Sequence, residues 1–196
     1  MYNFTYYMNT PDQQLSKSDL ILLLLYSRGA SDKTNEPIQG ITRLMKLLFL
    51  LHKEENLESP FSFQAYKIGP FSSEVYPEME FLQSFPKPDT PLINARTSSM
   101  ADSSIGPEQL KMIDDIAILD DEDYLIATSD INKEFSLSPL GEKVASQLWN
   151  DLDTANKVAI EKVKRQYGSL TLRSLLRHVY SEYPDMTVNS EIKDQL

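Results

Sequence analysis

With 196 residues, no cysteine and a net charge of −10 at pH 7, the chain can form one domain or two small ones. It has no disulfide and no cysteine-based metal site or nucleophile. Its acidic balance disfavours non-specific affinity for phosphate backbones, and its 41% hydrophobic and 24% charged residues are those of an ordinary soluble globular protein.

The first residues alternate, with Tyr2, Phe4 and Tyr6 on one side, which is strand periodicity and predicts an edge strand. They carry neither a basic n-region nor an apolar h-region, so no signal peptide is expected and a cytoplasmic protein is. A turn at Pro11-Asp12 leads to a helix over 19–28, capped by Ser16 or Ser18 and closed by Gly29. Its apolar run, 20–26, falls far short of the roughly 18 residues of a membrane span. Residues 30–37 form a polar loop.

The stretch 40–54 is the centre of the chain. Residues 47–51 are uniformly apolar, and Ile41, Leu44, Leu48 and Leu51 repeat at helical spacing. A helix apolar nearly all round is buried, so this is the core helix, with Arg43 and Lys46 as a small basic patch at its exposed N-terminal end. Phe61, Phe63 and Ala65 then alternate as a short strand, which Gly69-Pro70 breaks. Ser72 or Ser73 caps the next helix, reaching about Gln83, with Val75, Met79 and Leu82 inward. In the Gly-Pro-Phe-Ser turn the glycine permits an unusual backbone angle and the proline fixes the next. A second use of that helix start is to bind an anion through Ser72 or Ser73.

Residues 84–104 read as a hairpin or long loop around Leu92-Ile93, and 107–119 as a helix. Glu134–Ser138 alternates as a strand. Ser138-Pro139 is an N-cap followed by proline at the first helical position, opening a helix to Trp149. Helices over 151–167 and 172–180 follow, the last ended by Tyr183-Pro184. Charge is uneven. From 101 to 138 ten acidic residues face Lys111 and Lys133, a net of −8, whereas 139–168 holds four acidic and five basic residues, a net of +1.

This order predicts a mainly α protein with a small β-hairpin (α+β): a winged-helix-like core over 1–150 and a helical C-terminal extension over 151–196 packed on the same domain. Three segments carry a resemblance: Ile41-Thr42-Arg43-Leu44-Met45-Lys46-Leu47-Leu48-Phe49-Leu50-Leu51, Tyr66-Lys67-Ile68-Gly69-Pro70-Phe71-Ser72 and Leu137-Ser138-Pro139-Leu140-Gly141. Over 18–150 the chain resembles the SocA-like antitoxin (Panacea) domain and the related YwgA-type proteins. It departs from their pattern with Ser138 where threonine is usual, and with a long acidic segment, 98–134, in place of a simple wing. The resemblance implies a non-enzymatic prokaryotic or phage regulator that works by binding a partner protein, such as a toxin or defence component.

The rival is a winged-helix regulator binding DNA through Lys157, Lys162, Lys164, Arg165, Arg173 and Arg177. A winged helix normally sets its second helix-turn-helix helix in the major groove, and here that helix carries Glu74, Glu78 and Glu80 without a basic residue. Partner or anion contacts would fall to Arg43, Lys46, Ser72 and Ser73, and Arg43 and Lys46 could equally pair with the neighbouring glutamates. Self-association is compatible with the sequence. Chemistry finds little support. His52 and His178 are the only histidines, no serine sits in a Gly-x-Ser-x-Gly elbow, and the acidic run 120–123 lacks the glycine and late glutamate of a calcium loop. No catalytic residue, metal or cofactor is expected.

Overall fold

The computed structural model describes residues 15–97 and 133–196. The strand around Tyr2, Phe4 and Tyr6, the helix over 107–119 and all but the end of the acidic segment 101–138 lie outside them. Within them the chain is mostly helical and α+β: six α-helices, with short antiparallel sheets between.

Helix α1 (Lys17–Tyr26) begins at a capping box. The Ser16 hydroxyl accepts from the Asp19 amide, and the Asp19 carboxylate accepts from the Ser16 amide. Its residues 19–25 are all buried. Strand β1 (Ile38–Gln39) leads into α2 (Ile41–Glu55), in which every residue from Ile41 to Leu51 is buried. Two helices enclosed on all sides thus form the centre of one contiguous core. Side chains from the C-terminal part of the chain, including Ile160, Val163, Leu175 and Val179, belong to that same core.

After α2, β2 (Gln64–Tyr66) and β3 (Gly69–Phe71) pair as an antiparallel hairpin, with Ala65 opposite Pro70. β2 ends before Gly69-Pro70, as a strand breaker requires, and the same pair then begins β3. Gly69 has φ +79°, which turns the chain back within two residues. Pro70, which has no N–H to donate, instead offers its carbonyl inward. Helix α3 (Val75–Ser84) follows, and the expected serine cap is absent. Glu74 is its N-cap, with no side-chain capping bond, and Ser72 is buried while Ser73 is exposed.

Strands β4 (Ile93–Thr97) and β5 (Lys133–Leu137) pair antiparallel, and β5 also pairs with β1, giving the order β1-β5-β4. Asn35 seals the open end of β5. Its side-chain oxygen accepts from the Leu137 amide at 2.7 Å, and its side-chain nitrogen donates to the Leu137 carbonyl at 3.3 Å. Helix α4 (Pro139–Asp151) starts as its sequence requires, with the Ser138 hydroxyl accepting from the Gly141 amide at 3.0 Å. Helices α5 (Thr154–Tyr167) and α6 (Leu172–Glu182) are capped by Asp153 and Thr171. A 3-10 turn, Pro184–Thr187, closes against the β2–β3 hairpin.

Gly141 lies against the Leu92 carbonyl, so closely that a Cβ there would stand 1.9 Å from that oxygen. The same carbonyl accepts from the Ser138 amide at 2.9 Å, so it cannot swing aside without breaking the junction of β5 and α4. Gly141→Ala is therefore expected to lower stability by about 1–3 kcal/mol, the cost of overpacking a filled site. Urea denaturation measures it, and a neutral variant would show the junction to be loose.

Candidate functional site

Arg43 and Lys46 do not form an exposed patch. Both are buried within α2. The Lys46 ammonium donates to the Pro70 carbonyl at 2.8 Å. Arg43 donates from Nε to the Gln39 carbonyl at 3.2 Å and from Nη1 to the carbonyls of Gly168, at 3.3 Å, and Leu170. Lys164, expected on a basic face, is also buried. Its ammonium donates to the carbonyls of Leu25, at 2.7 Å, and Ser27, at 2.8 Å, at the C-terminal end of α1. There it meets the negative end of the helix dipole. These cations hold together backbone segments that would otherwise bury unmet carbonyls. Burial pulls the Lys46 amine down from 10.5 to about 7. It pulls Lys164 down to about 7 as well, with Glu36 opposing.

Two of the three glutamates at α3, Glu74 and Glu78, are engaged elsewhere. Glu74 pairs with Lys17 at 2.5 Å and accepts from the Ser62 amide at 2.9 Å, and Glu78 accepts from the Ser18 hydroxyl. Burial would raise the Glu74 carboxyl, but Lys17 and Ser62 hold it below its ordinary value. The start of α3 thus places the chain's own carboxylate between Lys17 and Ser62, in place of the anion site expected at Ser72 or Ser73.

The other basic residues are largely committed within the chain. Lys162 pairs with Glu55 at 2.6 Å, and Arg165 pairs with Asp32 and, at 3.7 Å, with Glu161. Lys157 donates to the Asn150 carbonyl at 3.2 Å. Arg173 and Arg177 both donate to the Leu196 carbonyl, at 3.3 and 2.6 Å.

One polar cluster escapes the sequence. The Glu54 carboxylate, at the end of α2, accepts from the Tyr167 hydroxyl at 2.6 Å and lies 2.8 Å from His178 Nε2. Tyr183 donates to it at 3.5 Å, and the Tyr167 and His178 rings stack at 4.8 Å. Burial and then the Glu54 carboxylate raise the Tyr167 phenol, and the same two causes raise Tyr183, so both remain donors. This cluster joins the ends of α2, α5 and α6. Tyr167 and Tyr183 were legible only as members of apolar stripes, and nothing in their spacing pointed to Glu54.

One surface feature with room for another molecule is apolar. A cleft of about 470 Å³ opens between α1, α3 and α4. Leu22, Leu82, Phe85, Val144 and Leu148 line it beside Phe81, a large side chain left 42% exposed. Phe81 stacks on Phe85 at 4.9 Å. The charged residues in this lining are Asp19 and Asp151. Among the described residues no group of three His, Asp or Glu side chains is placed to hold a metal ion, and no helix is long and apolar enough to cross a membrane.

No family model, no curated protein and no solved structure matches the chain.

The buried lysines give the protein a definite pH dependence. Unfolded, both amines hold their protons to about pH 10; folded, they begin to release them near 7. The unfolded chain therefore binds more protons between pH 7 and about 10.5, so stability rises with pH across that window, by at most about 1.4 kcal/mol per pH unit for each lysine. Lys46→Met is expected to flatten the rise in urea-unfolding free energy between pH 7 and 9. An unchanged slope would contradict a buried ammonium.

Proposed function

We propose that this chain is a non-enzymatic protein-interaction module, an antitoxin-like or defence-associated regulator that acts by holding an apolar segment of a partner protein in the α1–α3–α4 cleft. The cleft carries the reading. It leaves Phe81 exposed above an apolar floor, on a molecule whose other large apolar side chains are mostly in the core. Exposed apolar patches of this kind mark interaction sites, and an aromatic anchor in such a setting typically dominates binding energy.

The winged-helix reading of the core belongs here too. The succession α1, β1, α2, α3, β4, β5, interrupted by the β2–β3 hairpin between α2 and α3, and the strand order β1-β5-β4 support it. DNA binding remains the alternative on that fold. It is the weaker reading, because α3 presents glutamates, Lys164 is buried, and the exposed cations nearby already have partners within the chain.

Coexpression with the product of the adjacent gene tests the proposal, since an antitoxin-like regulator is expected to sit beside its partner. The wild-type chain should purify as a stoichiometric complex. Phe81→Asp should weaken that complex at least roughly tenfold, the scale of a lost anchor, at unchanged Tm, and Val144→Asp should weaken it as well. Survival of the complex in both variants, or salt-sensitive duplex DNA binding that Arg165→Ala abolishes, would favour the alternative.

A further inference from the structure

We infer that the cleft takes an amphipathic helix of about three turns bearing a basic side chain that meets Asp151. This rests on the cleft being the partner site and adds the shape and charge of what enters it.

The shape follows from the walls. They are built from α1, α3 and α4 together with residues 85–92 of the connection to β4, and no strand contributes. Helix walls have their main-chain groups bonded internally. An extended peptide laid on them would find no ladder of backbone partners and would leave its own amides and carbonyls unmet on an apolar floor. A helix satisfies its backbone internally and presents only side chains. The α4 wall runs from Leu140 to Asp151, about 17 Å at the helical rise, which is close to three turns of a ligand helix. Apolar side chains at i, i+3 or i+4, and i+7 would then fill the cleft, in the helix-in-groove manner.

The charge follows from the lining. It contains Asp19 and Asp151 and no Lys, Arg or His. Asp19 is buried and already accepts from the Ser16 amide. Asp151 is exposed, and among the described residues no ion pair or hydrogen bond engages its carboxylate. It stands in the last turn of α4, which has no basic residue of its own; the Lys157 ammonium meets the neighbouring Asn150 carbonyl at 3.2 Å and offsets part of the helix dipole there, so the cation of the ligand is matched to the Asp151 carboxylate itself. A cation on the ligand helix complements this end of the cleft; an acid there is repelled.

The test uses the full chain and fluorescein-labelled peptides of twelve residues. One has a leucine stripe at helical spacing with arginine at both ends. The others replace the arginines by glutamate, scramble the stripe, or place a proline at the centre. The arginine peptide should bind about threefold tighter than the glutamate peptide at low salt, the scale of one exposed ion pair, and this preference should vanish or invert in Asp151→Lys. Scrambling, the central proline and Phe81→Asp should each cost at least roughly tenfold. Equal binding of the arginine and glutamate peptides, or undiminished binding of the proline peptide, overturns the inference while leaving the cleft as a partner site. If no peptide binds and the natural complex survives Phe81→Asp, the cleft reading falls with it. A concentration-dependent dimer of the chain that Phe81→Asp dissolves would assign the cleft to a second copy and would also overturn the inference.

Discussion

The structure depends on α2 being enclosed on every side. A helix whose residues 41–51 are all buried leaves its two cations, Arg43 and Lys46, no route to water. A buried charge is tolerated only when hydrogen-bonded, so the surrounding chain must bring acceptors to it. It brings backbone carbonyls: Pro70 from the β2–β3 hairpin, Gln39 from the strand before α2, and Gly168 with Leu170 from the link between α5 and α6. Each of those groups would itself be costly to bury alone. The cations and the irregular segments therefore satisfy one another. Lys164 does the same for the end of α1.

The basic side chains of the C-terminal helices also meet partners within the chain. Lys164 points into the core, Lys162 and Arg165 bind Glu55 and Asp32, and Arg173 and Arg177 reach the carbonyl of Leu196. The C-terminal helices are accordingly part of the one core, sharing it through Ile160, Val163 and Val179. The Glu54 cluster fastens their ends to α2. Among the described residues, an apolar cleft with an acidic lining stays open beside α4.

Much of the scaffold was legible in the sequence, because it is written in local patterns. Ser138-Pro139 opens α4, Ser16 caps α1, and the heptad-like stripe of α6 ends before Pro184, each by rules that need only a few neighbouring residues. The errors arose where local rules compete. Gly69-Pro70 reads as a strand breaker and does follow the end of β2, yet it also begins β3, because the hairpin partner Gln64–Tyr66 lies within reach. Ser72 reads as a cap, yet Glu74 occupies that position and Ser72 is buried.

The candidate site was barely legible, for a different reason. Phe81, Leu22 and Val144 each appear as ordinary members of an amphipathic helix, and only the packing of three helices leaves their side chains around an open cleft. Likewise Arg43 and Lys46 look like a solvated patch in one dimension. By itself the sequence determined a mostly helical α+β protein, the starts of α1 and α4 and the central place of residues 40–54, because periodicity and capping are properties of short stretches. Only the tertiary structure decided which charges are buried and which apolar side chains stay exposed, because burial depends on what distant segments are packed against each residue.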